Sequence, residues 1–356
     1  MTKEFKSIDE QINILTSRGL LFEDQEKAKI NLIIYGYYEI INGYKNPLLK
    51  EEKTDNSEEV YKYDSTFEHI FSLYKMDKGL QESVRNSSMT FEQIVKTALA
   101  YHISEKYGHD DKIYLNKKYY NSGKIDKYGK SQLYYLMKKF NKIRNDNLQP
   151  YKHYREDHGH IPAWILLKGA SLGNIKIFYK LQKNDIKTKV IETVLGIPPI
   201  LKTNTYPDYI YNYFTSILNI SQSFRNIASH GGRIYNYKAN YIHTPYINAI
   251  HEDMGISKTQ FKRKKLGVND LYTLVYFYKL LDDMTPFIQL SVGIKYFLKK
   301  HLEIYPEDKE YILEQIGVPF KIREKSTYKS RLKRILSIKQ FLWTRIHRKN
   351  GFESYR

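Results

Sequence analysis

The sequence predicts a mainly α-helical protein, and three observations support that prediction. Apolar residues recur at a helical period of 3.6 through most of the chain, as in the stretch from Phe67 to Leu80. Capping residues such as Asp24 precede these stretches, and glycines such as Gly19 follow them. The alternation of apolar and polar residues that is typical of strands is hard to find. We therefore expect a helical bundle with an N-terminal helical unit and a C-terminal helical extension.

The N-terminal unit is expected over residues 1–50. Its first helix begins near Ile8 and ends at Gly19. A second helix is capped by Asp24 and is broken at Asn42-Gly43-Tyr44. Residues 50–62 are charged and mostly lack apolar side chains, which indicates a surface loop.

The main helical domain is expected over residues 51–255. Two long helices follow Thr66, because the apolar period runs to Leu80 and is taken up again at Phe91. The later segments are, in order, an exposed connection over 107–130, a helix over 131–143, a polar break over 145–160, a buried apolar stretch over 163–167, a helix over 171–181 and a helix ended by Gly196.

The C-terminal helices are expected over residues 256–319. Asp270 caps one of them, and another opens at Pro306 and closes at Gly317. Residues 320–356 form a basic, amphipathic tail with only two acids. A nucleic acid, an anionic membrane surface and a plain solvated helix all suit this tail, and we expect nucleic acid. The tail residues predicted to contact RNA are Lys321, Arg323, Arg331, Lys333 and Arg334.

The composition favours a polyanionic partner. The formal net charge is +19, and 34 tyrosines accompany the excess of Lys and Arg. An AT-rich genome would also enrich Lys and Tyr, but it does not explain why the chain has 58 Lys and Arg residues and only 39 Asp and Glu residues. The chain has no cysteine, which excludes disulfides, thiolate nucleophiles and cysteine-ligated metals. Without a long apolar window or a leader pattern, we expect a soluble cytoplasmic protein that does not bind membranes.

The most informative motif spans residues 224–236. It contains Arg225, Asn226 and His230 and ends in the helix-stopping pair Gly231-Gly232. A guanidinium that is always charged and an imidazole that titrates near neutral pH are sufficient for metal-free chemistry on a phosphodiester. The structural alternatives are an arginine that pairs with a carboxylate at the edge of the core, and a histidine that interacts with the helix dipole.

The residues that follow the glycine pair favour the functional interpretation. They include Arg233, Tyr235 and Asn236, which are residue types that bind phosphate or stack on bases. On a regular helix, Arg225 and His230 point about 140° apart. One copy of the motif therefore predicts an incomplete pocket, and two antiparallel copies across a symmetry axis would complete it. We accordingly expect a homodimer or an internal pseudo-dimer, and we favour the homodimer.

Other candidate sites are weaker. His153, His158 and His160 lie beside Glu156 and Asp157, but a polar loop with incidental histidines explains them better than a metal site does. The acidic pairs Asp110-Asp111 and Asp282-Asp283 lack further ligands nearby in sequence, so they do not support a two-metal nuclease. The Gly231-Gly232 pair is too short to be a phosphate-cradling loop. We expect no metal and no cofactor.

The ordered motifs resemble a known family. Arg225-Asn226-x3-His230 is similar to the R-x4-6-H motif of the HEPN superfamily, and the chain resembles its Abi_2 group of AbiD/AbiF-like abortive infection proteins over residues 8–240. Lys96 stands where the family pattern has an arginine. The matching blocks are Gln11-Ile12 to Arg18-Gly19-Leu20, Tyr37-Tyr38 with Gly43-Tyr44, Thr66-Phe67 with Leu73 to Asp77, Phe91 to Ile94 with Ala100-Tyr101, Pro162-Ala163-Trp164 with Ser171-Leu172-Gly173, and Arg225 to Asn236.

The resemblance implies a HEPN-like helical bundle and a metal-independent endoribonuclease of phage defence. In that family the ribose 2′-hydroxyl attacks the adjacent phosphate and leaves a 2′,3′-cyclic end. The implied catalytic residues are His230 as general acid or base, Arg225 as the group that neutralises the phosphate, and Asn226 as an orienting residue. Arg233, Tyr235 and Asn236 would hold RNA. The alternative is a non-catalytic protein that binds a small non-coding RNA as a ribonucleoprotein.

Overall fold

A computed structural model of the protein describes residues 4–50, 59–197 and 205–319. The regular secondary structure in these ranges is helical, with no β-strand, which confirms the predicted mainly α fold. The helices are α1 (Ile8–Ser17), α2 (Gln25–Tyr35), α3 (Phe67–Tyr107), α4 (Asp111–Tyr114), α5 (Gln132–Arg144), α6 (Tyr151–Asp157), α7 (Ala163–Leu166), α8 (Leu172–Leu181), α9 (Asn184–Val194), α10 (Asp208–Ser229), α11 (Asn248–Asp253), α12 (Lys258–Lys264), α13 (Leu271–Lys279), α14 (Thr285–Leu302) and α15 (Lys309–Ile316).

Several predicted caps occur where the sequence places them. The side chains of Asp24 and Asp270 accept the backbone N–H of Lys27 and Thr273 and cap α2 and α13. Gly19 and Gly317 follow α1 and α15 with positive φ, a conformation that glycine adopts without the steric cost of a Cβ.

The long central helix corrects one prediction. Residues 67–107 form one helix of 41 residues, not two. The expected break lay between Leu80 and Phe91, where serines replace large apolar residues on the buried face. The hydroxyls of Ser83 and Ser87 donate to carbonyls of the preceding turn, so the helix continues past these two buried serines without leaving their hydroxyls unpaired.

Helix α14 is the main element that the sequence analysis missed. It runs antiparallel to α3, as shown by the hydrogen bonds from Thr90 to Gln289 at one end and between Ser72 and His301 at the other. The two helices approach closely where Gly79 faces the ring of Phe297. Periodicity did not reveal α14 because Ile288, Val292 and other apolar residues on it are exposed.

Two segments predicted as exposed or polar contain structure. The connection over 107–130 buries Tyr114 and Tyr120, and the Tyr114 hydroxyl donates to the Ile161 carbonyl. The polar break over 145–160 contains the short helix α6.

One hydrophobic core runs through the described residues. Its buried side chains extend from Ile12 in α1 to Ile316 in α15. The segments that were predicted as an N-terminal unit, a main domain and C-terminal helices therefore share their core. None of the described helices is long and apolar enough to cross a membrane. The predicted basic tail, 320–356, lies outside the described residues.

Candidate functional site

The motif lies at the C-terminal end of α10, a 22-residue helix that packs against α3. Helix α10 ends as the glycine pair predicts. Gly231 has a φ of 75°, and the N–H of Gly232 donates to the carbonyl of Ile227 at 2.9 Å. This is the hydrogen bond of a Schellman ending, which satisfies a carbonyl that the helix itself leaves free. The helix end therefore has a defined shape.

Two side chains of helix α3 donate hydrogen bonds to the carbonyls of the glycine pair. The Gln81 amide donates to the carbonyls of Gly231 and Gly232 at 3.1 and 3.0 Å, and the Lys78 ammonium donates to Gly231 at 3.3 Å. These bonds fix the end of α10 to the middle of α3. As a result, the turn that carries His230 has a set position relative to α3.

Arg225 points toward α3 and meets a carboxylate. Its Nη2 lies 3.1 Å from Oε2 of Glu92, and Nζ of Lys96 lies 2.8 Å from the other oxygen of Glu92. The Glu92 side chain is 11% exposed and that of Arg225 is 29% exposed. The pairing predicted as the structural alternative for Arg225 is therefore present. Because Glu92 is nearly buried, its two cationic partners offset the cost of removing its charge from water.

Asn226 and His230 lie on the exposed side of the helix, as the helical period predicted. The Asn226 side-chain oxygen accepts a hydrogen bond from Nη1 of Arg225 at 3.3 Å. Asn226 therefore helps to orient Arg225. Together with Glu92 it supplies two acceptors that fix the plane of the guanidinium.

The chain beyond the motif is anchored on a buried aspartate. Asp77 of α3 accepts the backbone N–H groups of Ile234 and Tyr235 and the hydroxyl of Tyr44, at distances between 2.7 and 3.1 Å. Burial raises the pKa of the Asp77 carboxyl, and these hydrogen bonds lower it, with a net upward shift. This aspartate fixes the residues that directly follow Gly231-Gly232.

The three residues predicted to contact RNA after the glycine pair differ in their surroundings. Tyr235 is 1% exposed, and its ring stacks on that of Tyr44, so it presents no face for a base. Arg233 donates to the carbonyl of Gly43 at 2.7 Å and joins the N-terminal segment to the motif. Asn236 is partly exposed. The predicted tail contacts, from Lys321 to Arg334, lie outside the described residues.

Asp77, Gln81 and Glu92 anchor the motif or the residues next to it, a role that was not predicted from the sequence. Their sequence positions carry a usable indication, because Asp77 and Glu92 are acids within the apolar stripe of a helix. An acid on a buried face requires a partner, and here the partners belong to or directly follow the motif.

The exposed histidines in and after α6 were the weaker metal-site candidates in the sequence. His153 lies 2.5 Å from Asp157, and both side chains are about half exposed or more, at 49% and 62%. This geometry is that of a surface ion pair within α6, where the sequence predicted a polar loop.

The sequence profile of the Abi-like protein family matches residues 31–236 of the chain, which is more than half of its length. The chain belongs to the Abi-like protein family. The match ends at Asn236, so it includes α3, α10 and the whole motif. No curated protein and no solved structure matches the chain.

Membership gives this Abi-like protein a role in abortive infection, the defence of a bacterial population against phage. The parts of the fold that hold Arg225 and His230 lie within the matched region, whereas α14 and α15 lie beyond it. The residues on which a function can be proposed are therefore those around the end of α10.

Proposed function

We propose that this Abi-like protein binds RNA and cleaves it without a metal ion, leaving 2′,3′-cyclic phosphate ends. The observation that carries the proposal is the presence, within six residues at the end of α10, of an oriented guanidinium and an exposed imidazole. Glu92 and Asn226 hold Arg225, while His230 is exposed one turn further along. An oriented cation and a titratable base are the two groups that this reaction needs.

The reaction needs two proton transfers. A base takes the proton of the 2′-hydroxyl as its oxygen attacks the adjacent phosphorus, and an acid gives a proton to the 5′-oxygen as the P–O bond breaks. His230 is the group that we assign to this chemistry, and Arg225 would stabilise the charge that grows on the phosphoryl oxygens.

A homodimer would supply both proton-transfer groups. In a composite site formed by two copies of the motif, one His230 acts as base and the other as acid. The exposure of Asn226 and His230 supports this arrangement, because a symmetric partner would find them accessible. We also propose that the protein is a HEPN-type nuclease, because its motif resembles that of the superfamily, and that it acts in the cytoplasm, since a chain without cysteine suits a reducing compartment.

The charge of the chain supports RNA as the substrate. The net charge of +19 favours a polyanion. Near the motif, Lys78 and Lys96 lie on α3 beside Gly231 and Arg225. DNA lacks the 2′-hydroxyl and would not undergo this reaction.

The test uses purified full-length protein, single-stranded RNA and EDTA, with circular dichroism in the same buffer to check that the fold persists. We expect cleavage with cyclic phosphate ends and no cleavage of the same sequence as DNA. His230→Ala should abolish cleavage and leave RNA affinity unchanged. His243→Ala, which removes another exposed histidine, is the matched control and should cleave like the wild type. Full cleavage by His230→Ala would contradict the assignment.

A second candidate function is a non-catalytic protein that holds a small non-coding RNA. The observation that favours it is the ion pair of Arg225 with Glu92, which gives the arginine a role in packing α10 against α3. RNA that co-purifies as one discrete species, with no cleavage of total RNA by the wild type, would select this function.

A further inference from the structure

A cluster of three side chains lies where α3 meets the C-terminal helices. His69 is on α3, His301 is on α14, and Asp308 directly precedes α15. All three are buried, at 8%, 2% and 6% exposed. The carboxylate oxygen Oδ2 of Asp308 lies 2.7 Å from Nε2 of His69 and 2.9 Å from Nε2 of His301.

The donor set has the chemistry of a transition-metal site. Two imidazole nitrogens and one carboxylate oxygen are ligands that Zn²⁺ and its first-row neighbours accept. One possible ligand atom from each residue lies within 4.8 Å of the others, and within the described ranges no other group of three His, Cys, Asp or Glu side chains does so. The residues are far apart in sequence, so the tertiary fold assembles them.

The surroundings of His301 suit its metal-binding tautomer. Nδ1 of His301 lies 2.9 Å from the hydroxyl of Ser72, whose oxygen can accept a hydrogen bond from an N–H at that nitrogen. A histidine that carries its proton on Nδ1 has the Nε2 lone pair free for a metal. The ring of His69 is held by stacking on Tyr305, with ring centres 3.9 Å apart. Both imidazoles are therefore oriented by groups outside the cluster.

One member of the cluster, His301, lines a cavity. A cavity of about 410 Å³ between α3 and α14 is lined by Ser72 and His301. Three protein ligands leave coordination positions for water, and this cavity lies beside the cluster.

We propose that His69, His301 and Asp308 bind a divalent transition-metal ion of the Zn²⁺ class, which joins α3 to α14 and α15. This proposal departs from the expectation of no metal in the sequence, where the three residues lie far apart and show no ligand spacing. The proposal does not rest on the proposed nuclease, whose chemistry is at the end of α10. The ion would stabilise the contact between the region matched by the family and the helices that follow it.

The experiment uses full-length protein purified without a metal-binding tag, freed of metal with a chelator and then titrated with Zn²⁺ or Co²⁺. We expect one equivalent of metal per chain, a rise in Tm on binding and a visible Co²⁺ spectrum of nitrogen and oxygen ligation. Asp308→Asn and His301→Ala should lose the binding. Ser72→Ala keeps every ligand and should weaken affinity by about 10–100-fold.

The matched control is His153→Ala, which removes the exposed histidine beside Asp157 and should bind as the wild type does. If the wild type takes up neither metal, or if Asp308→Asn, His301→Ala and Ser72→Ala all bind as tightly as the wild type, the proposal is wrong. The cluster would then be a hydrogen-bonded link between the helices. Loss of binding in His153→Ala alone would likewise overturn the proposal, because it would place the metal at α6.

Discussion

Replacing Asp77 with alanine should destabilise the protein more than most single changes. The substitution removes the acceptor of three buried donors, which are the Tyr44 hydroxyl and the N–H groups of Ile234 and Tyr235. A buried donor left without a partner costs about 1–3 kcal/mol, which gives about 3–9 kcal/mol for three. Water that enters the vacated space recovers part of this, so we expect a loss of about 3–5 kcal/mol.

Urea unfolding followed by far-UV circular dichroism measures the loss in the free energy of unfolding. Tyr44→Phe is the matched control, because it removes one donor and leaves the carboxylate with both backbone N–H groups. We expect it to cost about 1 kcal/mol. A loss for Asp77→Ala no larger than that of Tyr44→Phe would refute the reasoning that Asp77 anchors the segment after the motif.

Three further predictions follow from particular contacts. Gly79→Ala should destabilise the protein by about 1–3 kcal/mol in urea unfolding, because the new Cβ would overlap the Phe297 ring. The control Gly173→Ala meets the flexible amide of Gln222 and should be neutral or stabilising. Equal effects of the two substitutions would contradict this prediction. Burial lowers the pKa of His251, so below about pH 6.5 the unfolded state binds a proton that the folded state resists. Stability should therefore fall as pH drops from 7 to 5, and less steeply in His251→Asn; identical slopes would disprove it. Glu92→Gln should slow RNA cleavage about 10–100-fold at unchanged RNA affinity, because Arg225 loses the carboxylate that orients it. An unchanged rate would remove Glu92 from the site.

The sequence was sufficient wherever the determining interaction is local. Capping bonds join residues three apart, as between Asp270 and Thr273, and glycine stops act on the turn that they end. The helix that carries the motif, its glycine ending and the exposure of His230 were predictable for this reason. The break predicted between Leu80 and Phe91 failed because small serines pack at a close helix contact, and a count of large apolar residues does not register them.

The sequence did not predict contacts between residues that are far apart in the chain. Glu92 lies 133 residues before Arg225, and His69 lies 239 residues before Asp308. No local period links such positions, so only the packing of α3 against α10 and α14 brings them together. The sequence by itself thus determined the helical class, the family and the motif at the end of α10. The tertiary structure decided that Arg225 is held by a carboxylate, that Tyr235 belongs to the core and that two histidines share one aspartate. Burial forces each charged or polar group to find a partner, and the partner is whichever side chain the fold places beside it.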